Sequence, residues 1–324
     1  MRALAEAIDR SAAPAAVEVA LARLAEAHPG LPQRLEEDAG LQAAVVAVTG
    51  ASRSLTLRLL TDAEAIETVA HLDRPCVVAG ATVAELARAK QLELLRIAAR
   101  DLLGTDDLEA VGAALADLAD AVLAGAVALG GGGGLAVIGM GKLGARELNY
   151  ASDIDVLFVG EGDARPVLES ARSCFRVDAD LRPEGRAGPL VRTLAAYEAY
   201  WDRWARPWEF QALLKARAVA GDADLGAAFA EAAASRVWGR PFGADELREL
   251  RSLKTRAEGE VARRGVSERE VKRGRGGIRD IEFAVQLLQL VHGRHDPGIR
   301  SPNTLEALDQ LGQAGYVDTT QVRT

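Results

Sequence analysis

Two aspartates, Asp153 and Asp155, stand one residue apart at the start of the apolar segment SDIDVLFV. Side chains two residues apart in a β-strand point to the same face, so a strand here would place both carboxylates together. The alternating residues Ile154, Val156 and Phe158 would then point into a core. Two carboxylates held this close repel each other unless a cation neutralises them. Mg²⁺ prefers oxygen ligands, so the pattern indicates metal-assisted nucleotidyl transfer, with solvated acids on an exposed edge strand as the alternative.

A third acidic position follows in the segment CFRVDADL. If Val177 points inward on a neighbouring strand, Asp178 points the opposite way and Asp180 shares its face. Two metal ions about 4 Å apart typically need such a bridging set of carboxylates. The alternative is a solvated strand end before a proline turn. Arg182, just beyond the strand, could hold a phosphate or pair with Asp180.

The segment before these acids is rich in glycine, and Gly139, Gly141 and Gly144 match the pattern GxGxxG. A strand, a turn and the helix-prone ARELN would place backbone N–H groups as a phosphate cradle beside the acids. A dinucleotide-binding turn is disfavoured, because it expects a single acid about 20 residues further on. A P-loop is also disfavoured, since Leu143 stands where Ser or Thr should follow Lys142.

The segment WEFQALLKAR predicts an amphipathic helix with Trp208, Gln211 or Ala212, and Lys215 on one stripe. Packing and substrate contact are equally open roles for this stripe.

A second basic segment, VKRGRGGIRDIEF, lies nearer the C-terminus. Lys272, Arg275 and Arg279 stand in or beside its glycines and could reach an anionic ligand. Asp280 and Glu282 fall in the first turn of the helix that follows, where acids complement the helix dipole.

The elements that must position these residues fall into three parts. Residues 1–128 are rich in Ala and Leu at helical spacing and predict an N-terminal helical domain. Residues 129–222 hold the apolar runs LAVIG, SDIDVLFV, CFRVDADL and PLVRTL, which predict the strands of a small sheet, with helical patterns returning from Leu194. Residues 223–324 predict a C-terminal helical domain.

Composition excludes several classes of protein. The net charge of −8 and the scattered basic residues argue against a nucleic-acid surface. Cys76 and Cys174 lack a pairing pattern, which suits a reducing compartment, and both are expected to be buried. Residues 121–141 carry no charge and could span a membrane by length, but the five glycines at 130–134 would end a helix there. We therefore expect a cytoplasmic protein without membrane contact.

Four blocks of the chain resemble, in order, the family of bifunctional glutamine synthetase adenylyltransferase/adenylyl-removing enzymes. The blocks are GMGKLGARELNYASDID, VDADLRPEGRAGPLVRT, WEFQALLKARAVAGD and KRGRGGIRDIEFAVQLLQLVHG. The resemblance implies an α+β, mostly helical fold, with a small mixed sheet of the polymerase-β-like nucleotidyltransferase type flanked by helical domains. The leading helical domain and Arg279 resemble the first, adenylyl-removing half of these two-part enzymes.

The resemblance also implies the chemistry, in which phosphate attacks the AMP–tyrosine bond of adenylylated glutamine synthetase and releases ADP. Asp153, Asp155 and Asp178 are the implied catalytic and metal-binding acids for two Mg²⁺ ions, with Mn²⁺ as a substitute. The candidate cofactor-binding positions are Gly141, Lys142, Gly144, Ser152, Arg182, Lys215 and Arg275. The implied partners are glutamine synthetase, a PII-type nitrogen regulatory protein, ADP or ATP, and phosphate.

Three other functions stay open at this point. The same fold could transfer AMP from ATP to glutamine synthetase, which is the forward direction of the chemistry. It could also serve as a docking or sensing module without catalysis. An NAD-dependent oxidoreductase is the remaining and weakest alternative.

Overall fold

The computed structural model describes residues 2–263, 270–272, 274 and 276–318. In that part of the chain, helices predominate and the strands form one five-stranded mixed sheet, which confirms the predicted α+β class. The chain divides into two compact units. The first comprises residues up to Leu129 together with Glu169–Cys174, and the second comprises Gly130–Leu168 and residues from Phe175 onward. The predicted three-domain division at 128 and 222 remains a prediction.

The first unit is helical, as the Ala/Leu spacing predicts. Its helices are α1 (Arg2–Asp9), α2 (Pro14–Ala27), α3 (Leu31–Glu37), α4 (Ala39–Ala51), α5 (Arg53–Thr61), α6 (Ala63–Ala70), α7 (Val83–Leu102) and α8 (Leu108–Gly130). Side chains of Asp38, Ser52 and Asp62 accept backbone N–H groups at the starts of α4, α5 and α6. Thr82 and Glu85 form a reciprocal capping box at the start of α7. Each such cap stabilises its helix by about 1 kcal/mol.

Apolar side chains from these helices form the core of the first unit. Leu24, Val45, Leu59 and Leu95 are fully buried in it. Cys76 packs against this core but is only partly buried, and Cys174 is also half-buried. The prediction that both cysteines are buried was therefore wrong, because neither side chain is fully enclosed by its unit.

Helix α8 is long and apolar enough to cross a membrane by length and composition, and half of its most apolar stretch is buried within the structure. The core helix of a soluble protein passes the same test, so this is weak evidence for a span. The helix ends at Gly130, and the strand that follows begins at Leu135. Gly131 and Gly134 adopt positive φ between them, so the glycine run ends the helix as predicted.

The second unit contains the sheet and the helices that follow it. In chain order the elements are β1 (Leu135–Met140), α9 (Gly141–Gly144), β2 (Ile154–Gly160), α10 (Arg165–Arg172), β3 (Val177–Asp178), β4 (Val191–Arg192), α11 (Leu194–Arg203), α12 (Pro207–Leu213), β5 (Arg217–Gly221), α13 (Ala223–Gly239), α14 (Ala244–Arg263), α15 (Ile278–His292) and α16 (Thr304–Gln313). Helix α10 spans the point where the two units divide at residue 168.

The sheet has the order β3-β2-β1-β5, with β4 also pairing with β2. Strand β1 runs antiparallel to both β2 and β5, whereas β3 and β4 run parallel to β2. The four predicted strands are present, although β3 and β4 have only two residues each. Strand β2 is therefore central, and it joins the short strand that carries Asp178 to the rest of the sheet.

Strand β2 is buried on both faces beyond its first residues. Ile154, Val156 and Phe158 are at most 1% exposed, as the alternation predicts. Leu157 and Val159, on the opposite face, are also buried and belong to a core with Tyr197, Trp201 and Phe229 from α11 and α13. Asp155 shares this second face, so the sheet positions its carboxylate beside an apolar core.

Two expectations for the middle of the chain are wrong. Helix α12 ends at Leu213, so Lys215 lies beyond the predicted amphipathic helix, and Arg217 begins strand β5. Strand β3 ends at Asp178, so Asp180 lies in the following turn and not on a shared strand face. In both places, long-range pairing with β1 or β2 decides the backbone conformation over the local pattern.

Candidate active site

Asp155 and Asp178 are direct neighbours across the parallel strands β2 and β3. Their Cα atoms are register partners, as are those of Ile154 and Val177 one position earlier. Neighbouring residues in a sheet register point to the same face. The expected meeting of these two carboxylates is therefore observed, and Val177 is buried on the opposite face as predicted.

The electrostatics of Asp155 reflect this closeness. Burial, together with repulsion from Asp178 and Asp153, raises the pKa of Asp155 to about 6, while Lys272 opposes the rise. A carboxylate with a raised pKa is poorly stabilised in its charged form. A bound cation would stabilise that charged form.

Asp153 lies immediately before β2 and is more than half exposed. Its carboxylate pairs with the Nε atom of Arg176 at 2.6 Å. Within the described ranges, no group of three or more His, Cys, Asp or Glu side chains is arranged to hold a metal ion. The third predicted ligand is thus held by an arginine, and Asp155 and Asp178 are the pair that the fold itself assembles.

The turn between β1 and α9 presses directly against Asp155. Gly141 has φ +53°, and a Cβ built on it would lie 2.6 Å from Oδ2 of Asp155. A side chain at this position would therefore displace the carboxylate. A Cβ on Gly144 would lie 1.7 Å from the carbonyl oxygen of Lys215, so this second glycine is needed for packing against the chain before β5.

Lys142 and Ser152 both precede the carboxylates in sequence and are half-buried. Neither side chain makes a hydrogen bond or an ion pair with the residues whose positions the structure gives. Lys142 follows Gly141 in the short helix α9. The predicted contacts of Lys142, Ser152 and the glycine turn with a nucleotide stay predictions.

The loop after β3 is held by its own arginines. Oδ1 of Asp178 accepts the backbone N–H of Asp180 at 2.7 Å. The guanidinium of Arg182 donates to the carbonyl oxygens of Ala179, Gly188 and Arg186, and it contacts Asp180 at 3.4 Å. The arrangement favours pairing with Asp180 over phosphate binding for Arg182, whose phosphate contact stays a prediction.

Lys215 forms a buried cluster in the second unit. Its ammonium group donates to Oε1 of Glu147 and, at 3.0 Å, to Oγ1 of Thr304. Oε2 of Glu147 accepts the backbone N–H of Thr304 at 2.8 Å. The cluster ties the segment after α9 to the start of α16, which is a structural role. No local sequence pattern indicates a role for Glu147, because its partners lie 68 and 157 positions away in the chain.

The basic segment before α15 contributes one charge that reaches the carboxylates. Lys272 is exposed and lowers the pKa of Asp155. Arg275, the predicted cofactor-binding residue of this segment, lies outside the described residues. Asp280 accepts the backbone N–H of Gly276 and pairs with Lys254 at 3.0 Å, consistent with its predicted place at the helix start.

A cavity of about 450 Å³ lies among α12, α14 and α15. Trp208, Gln211 and Ala212, the predicted stripe on α12, line it, together with Leu181 from the loop after β3. Lys215 does not line it. The stripe therefore faces an open space whose lining includes Leu181, three residues beyond Asp178.

The donor set suits a small divalent cation. Asp155 and Asp178 supply hard oxygen ligands on one face, and Asp153 could join them by leaving Arg176. Gly141 leaves space beside the carboxylate that any other residue would fill. A cation held by these residues would neutralise and align a phosphate ester.

Two protein-family models match the chain. The family model described as glutamate-ammonia ligase adenylyltransferase matches residues 60–174 and 167–232, together more than half of the chain. A second model, GlnD PII-uridylyltransferase, matches residues 248–324.

Similar curated proteins carry the name bifunctional glutamine synthetase adenylyltransferase/adenylyl-removing enzyme. One from Streptomyces coelicolor is 40% identical over 366 residues, covering 98% of this chain and 36% of that protein. One from Mycobacterium avium is 46% identical over 260 residues, covering 74% and 26%. One from Mycobacterium tuberculosis strain H37Rv is 48% identical over 246 residues, covering 69% and 25%. The chain thus spans about a quarter to a third of the length of these relatives, and it belongs to the glutamate-ammonia ligase adenylyltransferase family.

Proposed function

We propose that the chain carries a Mg²⁺-dependent nucleotidyltransferase site that removes AMP from the adenylylated tyrosine of glutamine synthetase by phosphorolysis. The register pair of Asp155 and Asp178 is the observation that carries the proposal. Two carboxylates on one face of the sheet, beside a turn that only glycine fits, support a shared cation that would hold a phosphate ester. Mn²⁺ would serve as a substitute ion.

When bound, the cation would neutralise charge on the phosphoryl oxygens. Asp155 and Asp178 would hold it, and Asp153 would join them once released from Arg176. Lys142, whose ammonium group bonds to no described residue, would attract phosphate charge at the turn. An oxygen of inorganic phosphate attacks the phosphorus of AMP, the bond to the tyrosine oxygen breaks, and that oxygen takes a proton. Alignment and charge neutralisation suffice for this transfer, and no protein nucleophile is needed.

The direction of transfer rests on context. The names of the relatives include both adenylyl transfer and adenylyl removal. The helical unit precedes the sheet in the chain. This order of elements supports adenylyl removal, because a leading helical domain resembles the adenylyl-removing half of the family. The match of residues 248–324 to a PII-uridylyltransferase model supports a PII-type protein as regulator. We place the enzyme in the cytoplasm, where glutamine synthetase and ATP would meet it.

Two other functions have an observation in their favour. The names of the relatives include adenylyltransferase, which favours forward transfer from ATP. The ion pair between Asp153 and Arg176 favours a docking module without catalysis, since it withholds one of the three carboxylates.

One assay separates these functions. The chain is incubated with adenylylated glutamine synthetase, ³²P-labelled phosphate and Mg²⁺, and we expect the label in the β-phosphate of ADP. Asp155→Asn should lower the rate by about a hundredfold or more. Asp163→Asn, at an exposed residue that bonds to Arg165, should leave the rate unchanged. Transfer of label from [α-³²P]ATP onto unmodified glutamine synthetase, without ADP formation from phosphate, would instead establish the forward reaction. Failure of both transfers would contradict the proposal and favour the docking module.

A further inference from the structure

The cavity of about 450 Å³ in the second unit has the build of a small-molecule site. Two aromatic side chains, Trp208 on α12 and Phe283 on α15, form part of its wall. Leu250 and Leu253 on α14 add further apolar surface. A flat ring bound here could stack on an aromatic side chain and contact the leucine side chains.

One wall of the cavity carries a pair of amides. Gln211, which is only 7% exposed, donates from Nε2 to Oε1 of Gln286 at 2.7 Å. Oε1 of Gln211 and Nε2 of Gln286 make no other hydrogen bond within the part of the chain that the structure describes. Unmatched amide groups at such a site are costly when a ligand excludes water. The occupant should therefore present a donor close to an acceptor.

The charged groups around the cavity argue against a phosphate there. Lys254 is held by two carboxylates, Glu258 at 2.7 Å and Asp280 at 3.0 Å. Glu282 adds a further acid to the lining, against the single guanidinium of Arg279. An anion would meet more negative than positive charge, whereas an uncharged ring would not be repelled.

The cavity is also close to the carboxylate pair. Leu181, three residues beyond Asp178, lines it. The same leucine lines a smaller void with Met140, which is the register partner of Asp155. A ligand whose phosphate lies at the carboxylates could therefore extend its other end into the cavity.

We propose that this cavity binds the adenine base of the nucleotide, with Gln211 and Gln286 as its specificity-determining residues. Glutamine amides pair with the amino group and adjacent ring nitrogen of adenine, and aromatic side chains stack on the base. This inference rests on the proposed function, because it assigns the base of the same substrate. A tyrosine ring of the protein substrate has one hydroxyl group and would leave part of the amide pair unmatched.

Adenosine tests the inference without phosphate or metal, since it lacks the groups that the carboxylates would hold. Binding is measured by isothermal titration to the whole chain. We expect wild type to bind adenosine about tenfold or more tightly than purine riboside, which lacks the amino group. We expect the double variant Gln211→Leu/Gln286→Leu, which removes both partners together, to lose about tenfold or more. Gln310→Leu, a glutamine on α16, should bind as wild type does.

The outcomes separate this inference from the proposed function. Equal binding of adenosine and purine riboside by wild type would overturn it without relying on any variant. Unchanged adenosine binding by a folded double variant, or preferential binding of p-cresol as a tyrosine mimic, would also overturn it. None of these results would bear on whether Asp155→Asn loses ADP formation, and that separate assay tests the proposed function. Glutamine-dependent adenosine binding without ADP formation would uphold the cavity and reject the function.

Discussion

Gly141 and Asp155 approach each other so closely that a Cβ on the glycine would lie 2.6 Å from a carboxylate oxygen. The contact joins the turn after β1 to the strand that carries the acids. It gives the glycine a direct role in positioning the carboxylate, in addition to its positive φ of 53°.

Gly141→Ala should weaken cation binding and slow ADP formation, because the new methyl group displaces Asp155. We expect Mn²⁺ affinity to fall about tenfold or more. Gly131→Ala is the matched control, since Gly131 has φ +65° with open space at its Cβ position. In both variants the alanine adopts a left-handed backbone conformation, which costs about 1–2 kcal/mol. Only Gly141→Ala should also bind Mn²⁺ more weakly. Equal Mn²⁺ affinity in the two variants would contradict a positioning role.

Asp155→Asn should stabilise the metal-free protein at neutral pH. The folded pKa of about 6 lies above the ordinary value of 3.8, so the folded state holds the proton more tightly. Stability therefore falls as pH rises from about 4 to about 6 and stays low above that range. The variant should gain up to about 3 kcal/mol at pH 7.5 and little at pH 4 in urea unfolding without divalent ions.

Asp163→Asn is the control for this pH dependence. Arg165 holds the pKa of Asp163 below its ordinary value, so the shift has the opposite direction. This variant should gain no stability at pH 7.5. A gain for Asp155→Asn that is the same at both pH values would show that its charge is not the cause.

Arg176→Gln should strengthen cation binding by releasing Asp153. The ion pair is exposed, at 74% for the arginine and 53% for the aspartate, so it is worth less than about 1 kcal/mol. We expect Mn²⁺ affinity to rise by up to about fivefold and stability to change little. Arg165→Gln breaks a pair of similar exposure with Asp163 and should leave Mn²⁺ affinity unchanged. Weaker binding in Arg176→Gln would mean that Asp153 is not a ligand.

Lys215→Met should strongly destabilise the second unit. The lysine is 7% exposed and its partner Glu147 is 17% exposed, so the variant leaves a largely buried carboxylate without its cation. We expect a loss of about 3–5 kcal/mol in unfolding free energy. Arg248→Met, which breaks an exposed pair with Asp245 on α14, should cost less than about 1 kcal/mol. Similar costs for the two variants would argue against the cluster as a structural support.

The sequence predicts the strands of the site well because their signals are local. Each signal lies within a few residues of the element that it predicts. The signals are the apolar run of β1, the alternation of apolar residues from Ile154 to Phe158, and the glycine run. The meeting of Asp155 and Asp178 follows from the two strand faces once the strands are assigned. These features therefore need little knowledge of the tertiary structure.

The remaining features depend on partners that are far away in the chain. Strand β5 has the Ala-rich sequence RAVAG, which also suits a helix, and pairing with β1 decides its conformation. The amides of Gln211 and Gln286 meet across 75 positions. The guanidinium of Arg176 forms an ion pair with Asp153, so Asp153 does not join the other two carboxylates. Only folding brings these two groups together. No local pattern contains this information.

Mn²⁺ binding, followed by electron paramagnetic resonance on the wild-type chain and on Asp178→Asn, tests the carboxylate pair most directly. If Asp155 and Asp178 share a cation, the wild type takes up the ion and the variant binds it about tenfold or more weakly. Asp163→Asn should bind as the wild type does. Equal binding by wild type and Asp178→Asn, or no binding by either, would contradict a shared cation site on β2 and β3.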